Sequence, residues 1–333
     1  MSSTTATLGG RLREALRERF SDFVSQLAAA GALIAVFVFL SFASPVFLTA
    51  DNLFNVGSQT AVTAVIAVGM TMVIITAGID LSVGSVSALA GVLGVMLITG
   101  AGLPVPLAIL GGILVGAGAG LVNGLLVSVA GLNPFIATLG MLTVARGLVY
   151  IFTSAKAVFG APDSFRLLGQ GVIGPIPIPI IIIVLVAIAG YIVLSRTRLG
   201  RYAYAMGSNL EAARLSGIPI RRYLTSVYVI SGALAGFGGM IAMSRVISGQ
   251  PNFGIGLELD VIAAAVIGGA SLFGGQGTVL GTLIGAFLIA LIRNGAVLLD
   301  VNTFYQQVII GIVIWLAVIW DQYRRRRLAA ASE

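Results

Sequence analysis

The stretch "IPIIIIVLVAIAGYIVL", Ile178 to Leu194, carries no charged residue, and its first polar side chain is Tyr191. A membrane strand would alternate polar and apolar positions, and this run does not. In hydrocarbon each backbone N–H and C=O must be bonded internally, which leaves only helices or closed barrels. The run is therefore a membrane helix, and it sets the reading of the segments around it.

Working outward, the same composition continues. The chain has 333 residues, of which 58% are hydrophobic and 9% charged. Soluble domains carry about 25% charged residues. The mean hydropathy is +1.07. These values predict an all-α, polytopic membrane helix bundle of about ten crossings, with broken or re-entrant helices and an internal repeat as further possibilities. The crossings fall near 27–43, 53–77, 83–100, 105–130, 135–153, 176–195, 224–247, 259–273, 277–298 and 303–320. The segment 259–273 is short and Gly-rich, so a re-entrant half-helix is the alternative there.

The formal charge is +7, and its distribution excludes a nucleic-acid module. Most of the 19 Lys and Arg lie in three clusters, each flanking an apolar segment: Arg11 to Arg19, Arg196 to Arg222, and Arg324 to Arg327. The positive-inside rule puts all three on the cytoplasmic face. Six crossings followed by four satisfy that parity, with both termini cytoplasmic. The expected organisation is a cytoplasmic amphipathic segment at 1–26, a transmembrane domain at 27–322 with a cytoplasmic loop at 196–222, and a basic tail at 323–333. Cys and His are absent, which removes thiol chemistry, Cys/His zinc sites and histidine proton relays. No catalytic or metal-binding residue is assigned.

Within the crossings, Gly112, Gly116, Gly120 and Gly124 recur every four residues, as do Gly277, Gly281 and Gly285. That spacing places them on one helix face and predicts close packing seams. The stretch "ITAGIDLSVGS", Ile75 to Ser85, holds Asp80 between Gly78 and Gly84. A carboxylate there suits a helix N-cap accepting from Ser82 or Val83 after a glycine break, near the cytoplasmic end of the second crossing. Setting Ile75–Ile98 against Val266–Ile289 matches Gly78 with Gly269 and Gly84 with Gly275, and puts Ser271 opposite Asp80 as a second cap. Gly78, Asp80, Gly84 and Ser271 are thus helix-break or gating candidates. Arg245, Glu258 and Asp260 bracket an external loop. Arg146 and Arg293 either snorkel or pair with an acid such as Asp300. Amides and one aromatic ring that would suit an uncharged hydroxyl-rich solute are Asn55, Gln59, Asn123, Asn133, Phe135 and Asn294. Asn133-Pro134 reads equally as a turn.

The loop "SRTRLGRYAYAMGSNLEAARLSGIPIRRYL" contains a short helix, Leu210 to Ser216, capped by Asn209 and stopped by Gly217 and Pro219. So short a helix is unstable in water and must rest on the bundle or on a partner. Its "EAARLSG" resembles the EAA loop of ATP-binding-cassette import permeases. With "GIDLSVGS" and "GGASLFGGQGT", the chain from about 30 to 322 resembles the permease subunits of ribose- and xylose-type sugar importers.

The resemblance implies that Glu211, Ala212, Ala213 and Gly217 dock an ATP-binding subunit on the cytoplasmic face. It also implies an extracytoplasmic sugar-binding protein, a second permease chain forming a homodimer, and residence in the bacterial inner membrane. ATP and Mg would belong to the partner ATPase, with no cofactor on this chain. The residues agree on one point: the only lysine, Lys156, is not part of a G-x-x-x-x-G-K-[ST] phosphate loop. The competing readings are an ion-coupled secondary transporter using Asp80, Glu258 or Asp260, a branched-chain amino-acid permease, and a membrane enzyme. The last lacks any nucleophile–base constellation.

Overall fold

The computed structural model describes residues 27–330, and its regular structure is almost wholly helical. The expected amphipathic segment at 1–26 lies outside the described residues. In chain order the helices are α1 (Leu27–Ala43), α2 (Ala50–Ile75), α3 (Val83–Thr99), α4 (Val105–Ser128), α5 (Pro134–Thr153) and α6 (Asp163–Gln170). A two-stranded antiparallel hairpin, β1 (Val172–Ile173) and β2 (Ile176–Pro177), precedes α7 (Ile178–Arg196). Then follow α8 (Arg198–Ser208), α9 (Leu210–Leu215), α10 (Ile220–Val246), α11 (Leu257–Ile267), α12 (Val279–Leu298) and α13 (Thr303–Ala330).

Six of the described helices, α2, α4, α5, α7, α10 and α12, are long and apolar enough to cross a membrane. Shorter apolar helices lie at Leu27–Ala43, Val83–Thr99 and Phe304–Val313. The expected crossing at 259–273 is not a continuous helix. α11 has 11 residues, a rise of about 16 Å against a hydrocarbon core of about 30 Å. Beyond it Gly269, Gly274, Gly275 and Gly277 all have positive φ, which a right-handed helix cannot continue. At the other end, α13 continues through the arginine cluster to Ala330, so no helix boundary falls at 323.

α2 and α10 form the centre. α10 packs along α4 and also against α3 and α2, while α11 and α12 pack on each other and on α2. With lipid outside, apolar surface alone does not hold helices together, so close backbone approach must. The buried residues of α4 are Ala108, Gly112, Gly116, Gly120, Asn123 and Gly124, and its leucines face outward. A Cβ at Gly116 would strike the Gly232 carbonyl, and one at Gly120 the Tyr228 carbonyl. The four-residue ladder is thus the α4–α10 seam. In the second ladder Gly281 and Gly285 meet Gly268 and Ala264 of the α11 side, whereas Gly277 precedes α12 in an irregular segment.

The internal repeat is not confirmed by the element boundaries. α2 ends at Ile75 and α11 at Ile267, which are corresponding places, but α3 restarts at Val83 while α12 restarts at Val279, opposite Ala88. Ser271 consequently does not cap α12. Its oxygen accepts from Phe273 N–H at 3.4 Å within a turn, and Thr278 caps α12 by accepting from Gly281 N–H at 3.1 Å.

Candidate functional site

A cavity of ≈ 710 Å³ opens between α2, α6, the hairpin, α10, α11 and α12. It lies toward the end of the bundle away from the arginine-rich 196–222 loop, because it is lined by the N-terminal half of α2 and the C-terminal ends of α10 and α12. Its volume falls in the range of small-molecule sites. Phe54 and Phe253 supply aromatic surface, and Asn55, Gln59, Gln170, Gln250 and Asn294 supply amides.

These side chains are set in place by hydrogen bonds. Gln59 Nε2 donates to Asn55 Oδ1 at 2.9 Å, one helical turn away on α2. Asn294 Nδ2 donates to Asn52 Oδ1 at 2.8 Å, and Asn52 Nδ2 returns a bond to Asn294 Oδ1 at 3.1 Å. This reciprocal pair ties α12 to α2 at the cavity. Gln170 Nε2 donates to the Arg245 carbonyl at 2.5 Å, holding α6 to the end of α10.

One ion pair faces the cavity. Arg293 Nη2 donates to both carboxylate oxygens of Asp260, at 2.8 and 2.6 Å. The side chain of Asp260 is 10% exposed and that of Arg293 49%. Sequence reasoning offered Asp300 as a partner for Arg293 and put Asp260 on an external loop. Instead α11 folds back along α12 and places Asp260 against Arg293. The available signal was Arg293 as the lone charge of one apolar segment and the acids Glu258 and Asp260 at the start of the segment before it. Arg146, expected to snorkel or pair with an acid, donates from Nη1 to the carbonyls of Pro251 and Phe253, each at 2.8 Å. It clamps the loop that forms one cavity wall.

Of the sequence candidates, Asn55, Gln59 and Asn294 line the cavity, and Asn123, Asn133 and Phe135 do not. Asn133 caps α5, accepting from Phe135 N–H at 2.9 Å, so its turn reading is the one the structure adopts. Asn123 is buried beside Asp80, where its Nδ2 donates to Ser82 Oγ at 2.9 Å. Gln170, Arg245 and Gln250 were not among the predicted lining residues. Nothing local marks them, because their position depends on where α6 and the loop after α10 come to rest.

Asp80 lies in the break between α2 and α3. Its Oδ1 accepts from Ser82 N–H at 2.9 Å and Ser82 Oγ at 2.6 Å, and Oδ2 accepts from Ser231 Oγ at 3.4 Å. Ser82 itself occupies the N-cap position of α3. The bond to Ser82 was expected, and the one to Val83 is not made. At Gly78 a Cβ would lie 2.6 Å from the Tyr228 hydroxyl, so a larger residue there requires the tyrosine to shift. At Gly84 a Cβ would strike the Gly254 carbonyl and the Glu258 carboxylate.

At the opposite end of the bundle, Asn209 Oδ1 accepts from Ala212 N–H at 2.9 Å and starts α9. Glu211, Ala212 and Gly217 are exposed, and Ala213 is buried against the bundle. Gly217 has φ 78°, the left-handed stop expected there. Leu215 is 82% exposed at the tip. The preceding α8, capped by Thr197, was not anticipated; its buried face is Gly200, Ala203 and Met206.

The chain matches the family described as branched-chain amino acid transport system / permease component over residues 52–318. It is 40% identical to the ribose import permease protein RbsC of Escherichia coli (strain K12) across 97% of this chain and 100% of that protein. It is 39% identical to the D-allose transport system permease protein AlsC of the same organism, covering 87% and 89% of the two chains. The L-arabinose ABC transporter permease protein AraH of Azospirillum brasilense is likewise 39% identical, over 89% and 87%. No solved structure gives a significant match.

Proposed function

Because the chain belongs to the branched-chain amino acid transport system / permease component family, we propose that it is the membrane-spanning subunit of an ATP-binding-cassette importer carrying a neutral monosaccharide. The observation that carries this reading is the cavity. Its polar lining is made of amides and hydroxyls, its aromatic surface is limited to two rings, the Asp260 carboxylate in its wall is paired with Arg293, and Arg245 lines it as well. Such a surface offers hydroxyl groups donors and acceptors, and its one lining carboxylate is already engaged. A branched-chain amino acid carries an ammonium as well as a carboxylate, and the ammonium would need a carboxylate partner, whereas Asp260 in the lining is held by Arg293. The named relatives carry ribose, allose and arabinose.

In this reading the short helices Leu27–Ala43, Val83–Thr99 and Phe304–Val313 join the six long ones as crossings. α11 with its glycine-rich exit serves as a tenth, interrupted one. Residues 27–322 form the permease domain, flanked by a cytoplasmic segment at 1–26 and a basic end at 323–333. The 196–222 loop then faces the cytoplasm and the cavity faces outward. A binding protein delivers the sugar from outside, and a separate ATP-binding subunit docks on α9 through Glu211, Ala212, Ala213 and Gly217. ATP and Mg belong to that subunit. A second copy of this chain completes the path in the inner membrane.

An ion-coupled secondary transporter would need a carboxylate able to exchange a cation or proton on each cycle. Asp80 is engaged by Ser82 and Ser231, and Asp260 by Arg293. Both are held in fixed contacts, and Glu258, the third carboxylate, lies against Gly84 and is not among the cavity's lining residues. The test is uptake of labelled ribose, allose and arabinose by proteoliposomes holding the permease with its ATPase and binding protein. ATP-dependent uptake that survives an uncoupler is expected. Uptake that follows an ion gradient and ignores ATP would overturn the proposal.

A further inference from the structure

Three segments far apart in sequence meet near the base of the bundle with almost no side chain between them. They are the end of α2, the turn 274–277 that leads into α12, and the end of α8. Gly275 N–H donates to the Ile75 carbonyl at 2.9 Å, which joins the two helix breaks directly. A Cβ at Gly207 would strike the Ile75 carbonyl and lie 2.5 Å from Gly275 N. One at Gly274 would lie 2.8 Å from both Ala77 Cβ and the Gly207 carbonyl, and one at Gly275 would lie 2.8 Å from Ser208 Oγ. Tyr204 of α8 donates to the Gly277 carbonyl at 2.6 Å. Ala77, Gly274 and Gly275 all hold left-handed backbone, with φ 59°, 87° and 75°.

A single residue, Asn209, separates this contact from α9, and its side chain is already committed to capping α9. A displacement of α9 therefore has no slack linker in which to dissipate. The receiving side is backbone packed on backbone, which cannot yield by changing rotamers. Since Gly275 and Ile75 are bonded, both breaks would be moved together.

We propose that the Gly207–Ser208 end of α8 is the contact through which movement at α9 reaches the cytoplasmic gate, and that its seat on Ile75–Ala77 and Gly274–Gly275 is the gate's closed position. This rests on the transport function proposed above. It assigns Gly207 and Ser208 a coupling role that lies outside the EAA segment itself.

The chain has no cysteine, so the double variant Ser208→Cys, Gly275→Cys places two thiols within bridging reach in the complex of permease, ATPase and binding protein. Because Gly275 holds left-handed backbone, the baseline is the reduced double variant's own uptake rather than that of wild type. Oxidation is expected to lower ATP-driven uptake by about tenfold or more, and dithiothreitol to restore it. Each single variant is expected to ignore the oxidant. Crosslinked protein that transports at the reduced rate overturns the proposal.

Independently of any solute, the crosslinking rate is expected to fall by about tenfold when the ATPase is held in its ATP-bound state. Equal rates in the nucleotide-free and ATP-bound complexes also overturn it. This second arm separates the two claims, because wild-type complex that carries no sugar defeats the transport reading while the rate comparison still judges the contact. In a third arm, Gly207→Val is expected to leave the ATPase co-purifying while uptake falls by about tenfold. Uptake within about twofold of wild type in that variant counts against the proposal.

Discussion

At the scale of single residues, a few buried polar groups decide the behaviour of the site. Arg293→Ala would leave Asp260, 10% exposed, without its cation. Because Arg293 is half exposed, the loss is expected at about 1–3 kcal/mol, short of the cost of breaking a fully buried pair. Thermal unfolding in detergent measures it, and Asp260→Asn should cost less because the amide oxygen still accepts from Arg293. Asp80 makes a sharper contrast. It acts only as an acceptor, for two donors on Ser82 and one on Ser231. Asp80→Asn keeps the oxygen that Ser82 needs and is expected to retain most uptake. Asp80→Leu strands the Ser82 N–H and hydroxyl in a dry interior, at about 1–3 kcal/mol for each unsatisfied group. Equal loss of uptake in the two variants would show that the negative charge itself is required.

At the scale of elements, the bundle is held by glycine faces. Two neighbouring positions on α4 differ sharply. A Cβ at Gly116 would strike the Gly232 carbonyl, whereas one at Gly118 meets nothing within 4 Å. Gly116→Ala is therefore expected to force α4 and α10 apart and lower stability by about 1–3 kcal/mol. Gly118→Ala removes backbone freedom from a lipid-facing position and is expected to be neutral or stabilising by up to about 1 kcal/mol. Unfolding curves of the two variants side by side test the seam, since identical behaviour would mean that α4 and α10 are not packed as described. The irregular exit of α11 follows the same logic in reverse. Glycines with positive φ stop the helix, and because they lack side chains the segment can lie directly on α8 and α2.

At the scale of the whole molecule, the cavity lies toward one end of the bundle and the α2–α8–α12 contact toward the other. With the orientation and gate proposed above, this corresponds to the outward-facing arrangement among alternating-access states. Ser58 lines the cavity. In the cysteine-free background, Ser58→Cys is expected to react with a membrane-impermeant maleimide from outside. Its labelling rate should drop by about tenfold once the complex is trapped with ATP. Labelling from the cytoplasmic side alone would reverse the orientation inferred from the arginine clusters.

What the sequence determined by itself is what depends on neighbours within a turn or two. The membrane setting follows from apolar run length. The Asn209 cap, the stop at Gly217 and the α4 glycine face follow from local bonding and helical period. Asn55, Gln59 and Asn294 were found for their chemistry alone. The tertiary structure decided the rest. It joined Asp260 to Arg293 and Asn52 to Asn294, paired Arg146 with two carbonyls, turned one expected crossing into an 11-residue helix with a glycine exit, and brought Gly207 to Ile75 and Gly275. The reason is physical. In a chain this apolar many helix pairings bury equivalent surface, so hydrophobic pattern cannot choose among them. The choice falls to backbone fit at glycines and to a few polar partners distant in sequence, which become neighbours only once the bundle has closed.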